Sequence, residues 1–230
     1  AITLNFSLPG LPPAWTVTLC AFASALLSVA LLERVARWRG GSTLGVVLFG
    51  IALVYSFQAL IMLLQLVASE EALQGIVFWT MGNLGRASWG SVAALAVALA
   101  CVLPWSMRDA WQLTAVRLGE ERAASLGVDL KRLRMVSLLR VSALTALAVS
   151  IVGTIGFVGL VAPHIARMLL GEDHRFYLPG STLAGALILS GASIASKTLL
   201  PGALIPVGIV TSLVGIPFFL AIVVRTLRKQ

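Results

Sequence analysis

Two histidines and two neighbouring carboxylates are the residues of this sequence whose types suit metal chemistry. His164 and His174 flank a short stretch that contains Glu172 and Asp173. Imidazole and carboxylate groups are common metal ligands. Pro163 and His164 nevertheless lie near a helix, whereas the two carboxylates fall in a charged, solvated loop. We therefore expect no metal site, and we assign no catalytic residue to the chain.

A second segment imitates a phosphate-binding loop. Residues 191–198, GASIASKT, share Gly191, Lys197 and Thr198 with the pattern GxxxxGK[ST] but lack its second glycine. The segment also follows no strand and lies within an apolar run. The chain therefore has no nucleotide site of its own, and any ATPase that serves it must be a separate protein.

Two cysteines complete the set of residues that could react. Cys20 and Cys101 sit inside separate apolar segments, without the spacing of a metal-binding motif. Free cysteine in such surroundings behaves as a small hydrophobic residue. We expect both side chains to be buried.

The composition places the chain in a membrane. Of its 230 residues, 59% are hydrophobic and 11% are charged, and the mean hydropathy is +0.98, whereas a soluble domain carries about 25% charged residues. The apolar runs are long and continuous, which indicates helices rather than the short alternating strands of a barrel. The sequence predicts an all-α integral membrane protein, a polytopic helical bundle.

The positive charge of the chain is distributed as in a multi-spanning protein. The net charge is +8, and 15 of the 17 Lys and Arg residues fall in four segments: 34–39, 108–140, 167–175 and 225–229. Such clusters between apolar runs indicate the segments on the cytoplasmic side. A nucleic-acid-binding chain would instead concentrate its charge in one patch or tail, so we expect no nucleic-acid partner.

Charge and hydropathy together predict seven crossings, with the N-terminus outside and the C-terminus inside. The predicted spans are residues 14–32, 44–68, 89–107, 135–154, 157–170, 178–196 and 205–224. Arg140 and Arg167 bracket an apolar run that is too long for one crossing of about 20 residues. We expect a reversal at residues 153–159, where three glycines free the backbone, and a tightly packed helix on each side of it. Residues 69–88 predict a short amphipathic helix on the outer surface, with Phe78 and Trp79 in the interface.

The largest inside segment predicts a small helical projection. In LGEERAASLGVDLKRLR (residues 118–134), residues 120–126 can form a two-turn helix that ends at Gly127 in a left-handed conformation. Asp129 can then cap a second short helix over residues 130–134. A rigid projection of this kind can seat in a groove of a partner. The alternative is a loop that its basic residues hold against anionic lipid.

Polar residues line one face of the second span. Tyr55, Gln58, Met62 and Gln65 recur at helical spacing. Uncharged amides within a span favour a protein interior or a water-filled cavity. Helix packing is the alternative explanation.

The stretch GFVGLVAPHIAR (residues 156–167), followed by GEDHR (171–175) and LPG (178–180), resembles a known family. It is similar to the permease subunits of binding-protein-dependent ABC importers for iron-siderophores, haem and vitamin B12, which have the type II importer fold. The resemblance covers residues 14–228 and matches helices four to ten of a ten-helix permease. We therefore expect a single transmembrane permease domain over residues 1–230 that lacks its N-terminal helices.

The resemblance assigns roles to particular residues. Six inside residues match the coupling helices that dock on the ATPase subunit: Gly119, Glu120, Ala123, Ser125, Leu126 and Gly127. The translocation pathway takes the polar face of the second span together with four residues of the last helix: Gly208, Thr211, Ser212 and Gly215. Ser42 and Thr43 match a polar pair at the cytoplasmic gate. Lys197 and Arg86 are candidates for contact with the binding protein, although a basic side chain that reaches for the membrane interface is the alternative for each. The family usually has Glu-Leu-Pro where residues 204–206 read Leu-Ile-Pro, so one outer polar contact is expected to be absent.

The resemblance also implies the partners and the function. It implies a non-enzymatic permease in the bacterial cytoplasmic (inner) membrane, surrounded by lipid and paired with a second copy or a paralogue. A soluble substrate-binding protein would deliver an iron-siderophore, haem or cobalamin. ATP and Mg would bind in a separate ATP-binding subunit, so the chain itself needs no cofactor.

Two other functions are open from the sequence. The chain could be a secondary transporter driven by an ion gradient, although no Asp or Glu lies in a predicted span. It could also be a truncated chain that only scaffolds other permease subunits. Nothing in the sequence distinguishes among the candidate cargoes.

Overall fold

The computed structural model describes residues 13–38, 43–199 and 205–227 of the chain. All regular elements in these ranges are helices, which confirms the predicted all-α class. They are α1 (Pro13–Trp38), α2 (Thr43–Val67), α3 (Glu70–Thr80), a 3₁₀ turn (Leu84–Arg86), α4 (Trp89–Arg108), α5 (Ala110–Val116), α6 (Glu120–Ser125), α7 (Leu130–Val152), α8 (Val158–Leu170), α9 (His174–Thr198) and α10 (Val207–Leu227).

The chain forms two compact units. The first unit comprises Ala1–Thr80 and Val141–Ile151, and the second comprises Met81–Arg140 and Val152–Gln230. In the first unit α1 packs against α2. In the second unit α9 is the central helix, since it packs against α4, α5, α8 and α10. Whether all of residues 1–230 form one permease domain stays a prediction.

Helices occupy all seven predicted spans. Within the described residues, four helical segments are long and apolar enough to cross a membrane: Val47–Val67, Trp89–Arg108, Leu130–Val152 and His174–Thr198. Three shorter apolar segments, Leu19–Ser28, Val158–Leu170 and Val207–Ile222, lie at the other three positions. The number of seven crossings therefore stays a prediction. The helix predicted within residues 69–88 is present as α3, which begins with Glu70 and Glu71. Its position on the outer surface stays a prediction.

The reversal lies where the glycines predicted it. α7 ends at Val152 and α8 begins at Val158. Between them Gly153 has φ 79°, and Phe157 has φ 64°, which is rare for a residue with a side chain. The backbone N–H of Asn83 donates to the carbonyl oxygen of Val152 at 2.8 Å, so a neighbouring loop of the same unit fixes the start of the turn.

The closely packed helix pair that the structure shows in the second unit is α8 with α9. Gly185 faces Ala162 of α8 so closely that an added Cβ would stand 3.7 Å from the alanine methyl group. Gly180 likewise faces the side chains of Leu170 and Ala166. Small residues permit this close approach of two membrane helices. Tight packing of the two helices that flank the reversal stays a prediction.

One predicted boundary is wrong. Asp129 caps a helix as expected, since its Oδ1 accepts from the backbone N–H of Arg132 at 3.0 Å. The helix does not stop after residue 134, however, but continues as α7 to Val152. No glycine or proline interrupts residues 130–152, so nothing in the local sequence ends the helix.

Candidate functional site

The inside segment folds into a compact helical module, which we define as residues 110–134. It contains α5, α6 and the first turn of α7. Its core consists of Ala115, Ala123, Val128 and Leu133, with the side chains of Leu113, Val116 and Leu130 against it. The chain changes direction at Gly119 (φ 111°) and Gly127 (φ 84°), both in conformations that favour glycine. The predicted two-turn helix and its glycine end are therefore confirmed.

One of the six predicted contact residues, Ala123, is buried. The Ala123 side chain is 0% exposed and belongs to the core of the module. Ala123 cannot contact another protein while the module is folded, so the contact predicted for it is wrong. Its small methyl group fits between α5 and α7. The other five predicted residues are exposed, namely Gly119, Glu120, Ser125, Leu126 and Gly127.

The exposed surface of the module combines apolar and charged side chains. Leu118 is 60% exposed and Leu126 is 56% exposed. Beside them Glu120 Oε1 accepts from Arg134 Nη2 at 2.8 Å, and both side chains are more than 60% exposed. Exposed leucines with a charged border are typical of a surface that another protein covers.

We predict that a side chain at Gly127 loosens the module. Gly127 has no neighbouring atoms that a Cβ would meet, so the cost of Gly127→Val comes from its φ of 84° and amounts to about 1–2 kcal/mol. Trypsin should then cut at the exposed Arg122 about tenfold faster in detergent-solubilised protein, because local opening becomes more frequent. Gly127→Asn is the control, since asparagine tolerates this conformation. Equal cleavage of both variants would contradict the prediction.

An ion pair joins the two segments that flank the module in the sequence. Arg140 of α7 donates from Nη1 to Oδ2 of Asp109 at 2.6 Å, with the Arg140 side chain only 5% exposed. The guanidinium group also lies over the ring of Trp105, 4.2 Å from its centroid. Asp109 links the end of α4 to the start of α5, so the pair fixes the point where the module begins.

A second set of polar contacts joins the module to α8 and α9. Arg117 Nη2 lies 2.9 Å from Glu172 Oε1, and the same oxygen lies 3.9 Å from Nε of Arg167 in α8. The backbone N–H of His174 donates to Oγ1 of Thr114 at 3.0 Å. The charged loop is thus occupied by contacts with the module and with α8.

The two histidines lie in different surroundings. His164 packs edge-on against Phe218 at a centroid distance of 6.1 Å. Asp173 caps α9 by accepting from the backbone N–H of Arg175 at 2.9 Å. Among the described residues, no three His, Cys, Asp or Glu side chains lie close enough to hold a metal ion together.

The polar face of the second span is open in this chain. Tyr55, Gln58 and Met62 are exposed on α2, and Gln65 is partly buried. Tyr55 is 71% exposed and Met62 is 57% exposed. Their part in a translocation pathway stays a prediction. Thr43 begins α2, and its predicted partner at the gate, Ser42, lies outside the described residues.

The predicted residues of the last helix are packed rather than open. Thr211 is 4% exposed, and its hydroxyl group donates to the Gly208 carbonyl oxygen at 3.1 Å. Gly208 lies against the carbonyl oxygens of Met81 and Thr154. Gly215 is buried against Phe157. Met81 and residues of the reversal thus pack against α10 in this chain, and the part of Gly208, Thr211 and Gly215 in a translocation pathway stays a prediction.

An apolar cavity of about 300 Å³ lies between α8, α9 and α10. Thr211 and Gly215 line it together with side chains such as Val161, Ile188 and Val214. Ser212 lies beside it, partly buried near Gly156. Two of the four predicted residues of α10 therefore form part of the wall of an apolar space within the second unit.

The two candidate outer cations are both accessible. Lys197 is exposed in the last turn of α9, and Arg86 is exposed in the 3₁₀ turn. Residues 191–198 are part of the continuous helix α9 and form no loop, as the absence of the second glycine indicated.

Cys101 is exposed and Cys20 is partly buried, so the predicted burial of both cysteines is wrong. Cys101 shares this exposure with the rest of α4, in which no residue is buried in this chain.

Known transport permeases are similar to this chain in sequence. The hemin transport system permease HmuU of Yersinia pestis is 36% identical over 231 residues, which cover 100% of this chain and 68% of that protein. The vitamin B12 import system permease BtuC of Vibrio vulnificus is 36% identical over 221 residues, or 96% of this chain and 66% of that protein. The chain thus spans about two thirds of the length of these relatives.

A solved structure shares the fold. An inward-facing metal-chelate type ABC transporter superposes with a TM-score of 0.80 at 32% identity, covering 92% of this chain and 72% of that one. With its long apolar helices, the chain is a multi-pass membrane protein. The model of the FecCD transport family matches residues 1–225. The chain belongs to the FecCD transport family.

Proposed function

We propose that this chain is the transmembrane permease of an ABC importer in the bacterial cytoplasmic (inner) membrane. The observation that carries the proposal is the helical module. It is folded around its own core, bounded by two glycines with positive φ, and presents Leu118 and Leu126 to solvent. A rigid, partly apolar projection of this kind suits a groove in another protein, and we assign that groove to the ATP-binding subunit.

The other partners follow from the open surfaces. ATP and Mg²⁺ bind in the separate ATP-binding subunit, and the permease itself catalyses no reaction. A soluble substrate-binding protein docks near Lys197 and Arg86, which are exposed at predicted outer positions. A second permease copy or a paralogue covers the polar face of α2, because exposed glutamines would be costly against lipid.

The cargo is a metal chelate, with an iron-siderophore as the first candidate and haem and cobalamin as the others. The predicted pathway residues of α2 are polar and uncharged. Such a surface lets a large complex pass without holding it by ion pairs. The similar permeases carry names that refer to hemin and vitamin B12, which are both metal chelates.

The experiment is uptake into vesicles that contain the full permease with its ATPase and binding protein. Import of the chelate should require ATP and should persist when ionophores abolish the ion gradients. Uptake that follows the gradient and ignores ATP would establish the alternative, a secondary transporter. Asp109, the carboxylate at the end of the long helix α4, is already paired with Arg140, so it is not free to bind a coupling ion.

We predict that Leu126→Glu uncouples the transporter. Leu126 is 56% exposed, so the substitution leaves the core of the module intact. A charge in an apolar contact should cost about 2 kcal/mol of binding, as at an interface hot spot. Co-purification of the ATPase and ATP-dependent uptake should both fall by more than about tenfold.

Two variants make this result specific. Leu126→Met keeps an apolar side chain of similar volume, so uptake should stay near the wild-type rate. Glu120→Lys removes an exposed ion pair with Arg134 that contributes about 0–1 kcal/mol to folding. It should therefore leave the module folded while it weakens docking. Normal uptake by both Leu126→Glu and Glu120→Lys would show that the ATPase binds elsewhere.

A further inference from the structure

The N-terminus of α9 is capped by a side chain from a different element. α9 begins at His174, and its first backbone N–H donates to Oγ1 of Thr114 in α5 at 3.0 Å. Asp173, which directly precedes the helix, accepts from the next N–H, that of Arg175. Helices usually satisfy these first donors with their own preceding residues. Here the helical module supplies one of the caps.

The hydroxyl group of Thr114 is held in place on both sides. It donates to the carbonyl oxygen of Ala110 at 2.9 Å, within α5. It also lies 3.1 Å from Nδ1 of His174. Thr114 therefore connects the first turn of α5 with both the backbone and the ring of the first residue of α9. These contacts fix the position and the direction of the helix end.

An ion pair next to this cap completes the contact. Arg117 Nη2 lies 2.9 Å from Glu172 Oε1, with the two side chains 29% and 56% exposed. We define the joint as Thr114, Arg117, Glu172 and His174. An ion pair this exposed contributes little to folding stability, so its loss should leave the protein folded. The joint does restrict how α5 can move relative to α9.

α9 is the element best placed to transmit such a movement. It runs for 25 residues without interruption, which corresponds to roughly 37 Å. It packs against α4, α5, α8 and α10. Its far end carries the exposed Lys197, and next to it the carbonyl oxygen of Ser196 accepts from the N–H of Ile205. One end of α9 thus meets the module, and the other lies just before the segment that leads to α10.

We propose that the joint passes movement of the helical module into α9, which makes Thr114 and Glu172 positioning residues for transport. The inference rests on the proposed function, in which the ATP-binding subunit moves the module. With the joint intact, displacement of α5 shifts the start of α9 and, through it, the helices that pack on it. Without the joint, the module still docks on the ATPase, but its movement is transmitted less completely.

The test uses the complete transporter in proteoliposomes, with its ATPase and its binding protein. Thr114→Val keeps the shape of the side chain but removes the hydroxyl group that caps α9. We expect the amount of chelate imported per ATP hydrolysed to fall by about tenfold, which lies within the usual range of coupling between sites. The ATPase should remain bound, because Thr114 contacts α9, whereas the proposed docking surface lies around the exposed Leu118 and Leu126. Glu172→Gln, which removes the ion pair with Arg117, should have the same effect in a milder form.

Two matched controls separate positioning from folding. Thr114→Ser retains the hydroxyl group and should transport like the wild type. Thr182→Val removes a hydroxyl group of α9 that bonds only within the helix, to the carbonyl oxygen of Leu178 at 3.0 Å, and should also be normal.

Three outcomes would contradict the inference. Normal import per ATP in both Thr114→Val and Glu172→Gln would overturn the inference while leaving the proposed function intact. Loss of the ATPase from the Thr114→Val complex would overturn it too, since the joint would then serve assembly. Wild-type proteoliposomes without ATP-dependent uptake would overturn the proposed function, and the inference with it.

Discussion

Replacement of Arg140 by methionine is expected to lower the free energy of unfolding by about 1–3 kcal/mol, since it leaves the partly buried carboxylate of Asp109 without its partner. The Arg140 side chain is 5% exposed and lies 2.6 Å from Asp109. Its loss also removes the contact between the guanidinium group and the ring of Trp105. The effect should appear in detergent as a lower unfolding temperature and as unfolding at a lower SDS concentration.

A double variant distinguishes the ion pair from simple packing. In Arg140→Met with Asp109→Leu, both charges are gone and the space is filled by apolar groups. Replacement of a complete buried pair in this way is often neutral, so the double variant should be more stable than Arg140→Met alone. The difference between the variants gives the coupling between the two residues directly. If Arg140→Met costs less than about 1 kcal/mol, the pair behaves like an exposed one and the prediction is wrong.

Local features of the sequence were sufficient to predict most helices of the structure. The apolar runs placed every long helix, and the glycines of residues 153–159 placed the reversal. Gly127 and Asp129 predicted a helix end and a helix start, because both depend only on neighbouring backbone groups. The predicted helix end after residue 134 is wrong, because a short basic segment contains no residue that ends a helix, and α7 continues to Val152.

The contacts between distant segments could not be predicted in this way. Thr114 and His174 are 60 residues apart in the sequence, and Arg140 lies 31 residues from Asp109. Arg140 lies within a long apolar run, where a charge needs a partner, but no nearby residue in the sequence identified Asp109 as that partner. The burial of Ala123 likewise depends on which helices surround it. Helical spacing predicts the face on which a residue lies, but not what packs against that face.

Gly215 of the last helix makes a contact of this kind, which its helical spacing did not predict. The small residues of this helix were predicted to line a translocation pathway, which stays a prediction, and in this chain Gly215 lies against the ring and Cβ of Phe157. The carbonyl oxygen of Phe157 accepts from the backbone N–H groups of Leu160 and Val161 at 3.0 and 2.9 Å, so the first turn of α8 holds its backbone in place. Within the second unit, Gly215 thus lets α10 approach the reversal. Any side chain at this position competes with Phe157 for the same space.

Gly215→Val should therefore destabilise the protein by about 3 kcal/mol, at the upper end of what overpacking usually costs. Gly191→Ala is the matched control, because Gly191 lines the same cavity but has no atom within 4 Å of an added Cβ. A helical glycine replaced by alanine in open space should gain up to about 1 kcal/mol. Phe157→Ala combined with Gly215→Val should recover part of the loss, since it removes the ring that the valine meets. Unfolding in detergent measures all three variants, and equal stability of Gly215→Val and Gly191→Ala would show that α10 and the reversal separate without cost.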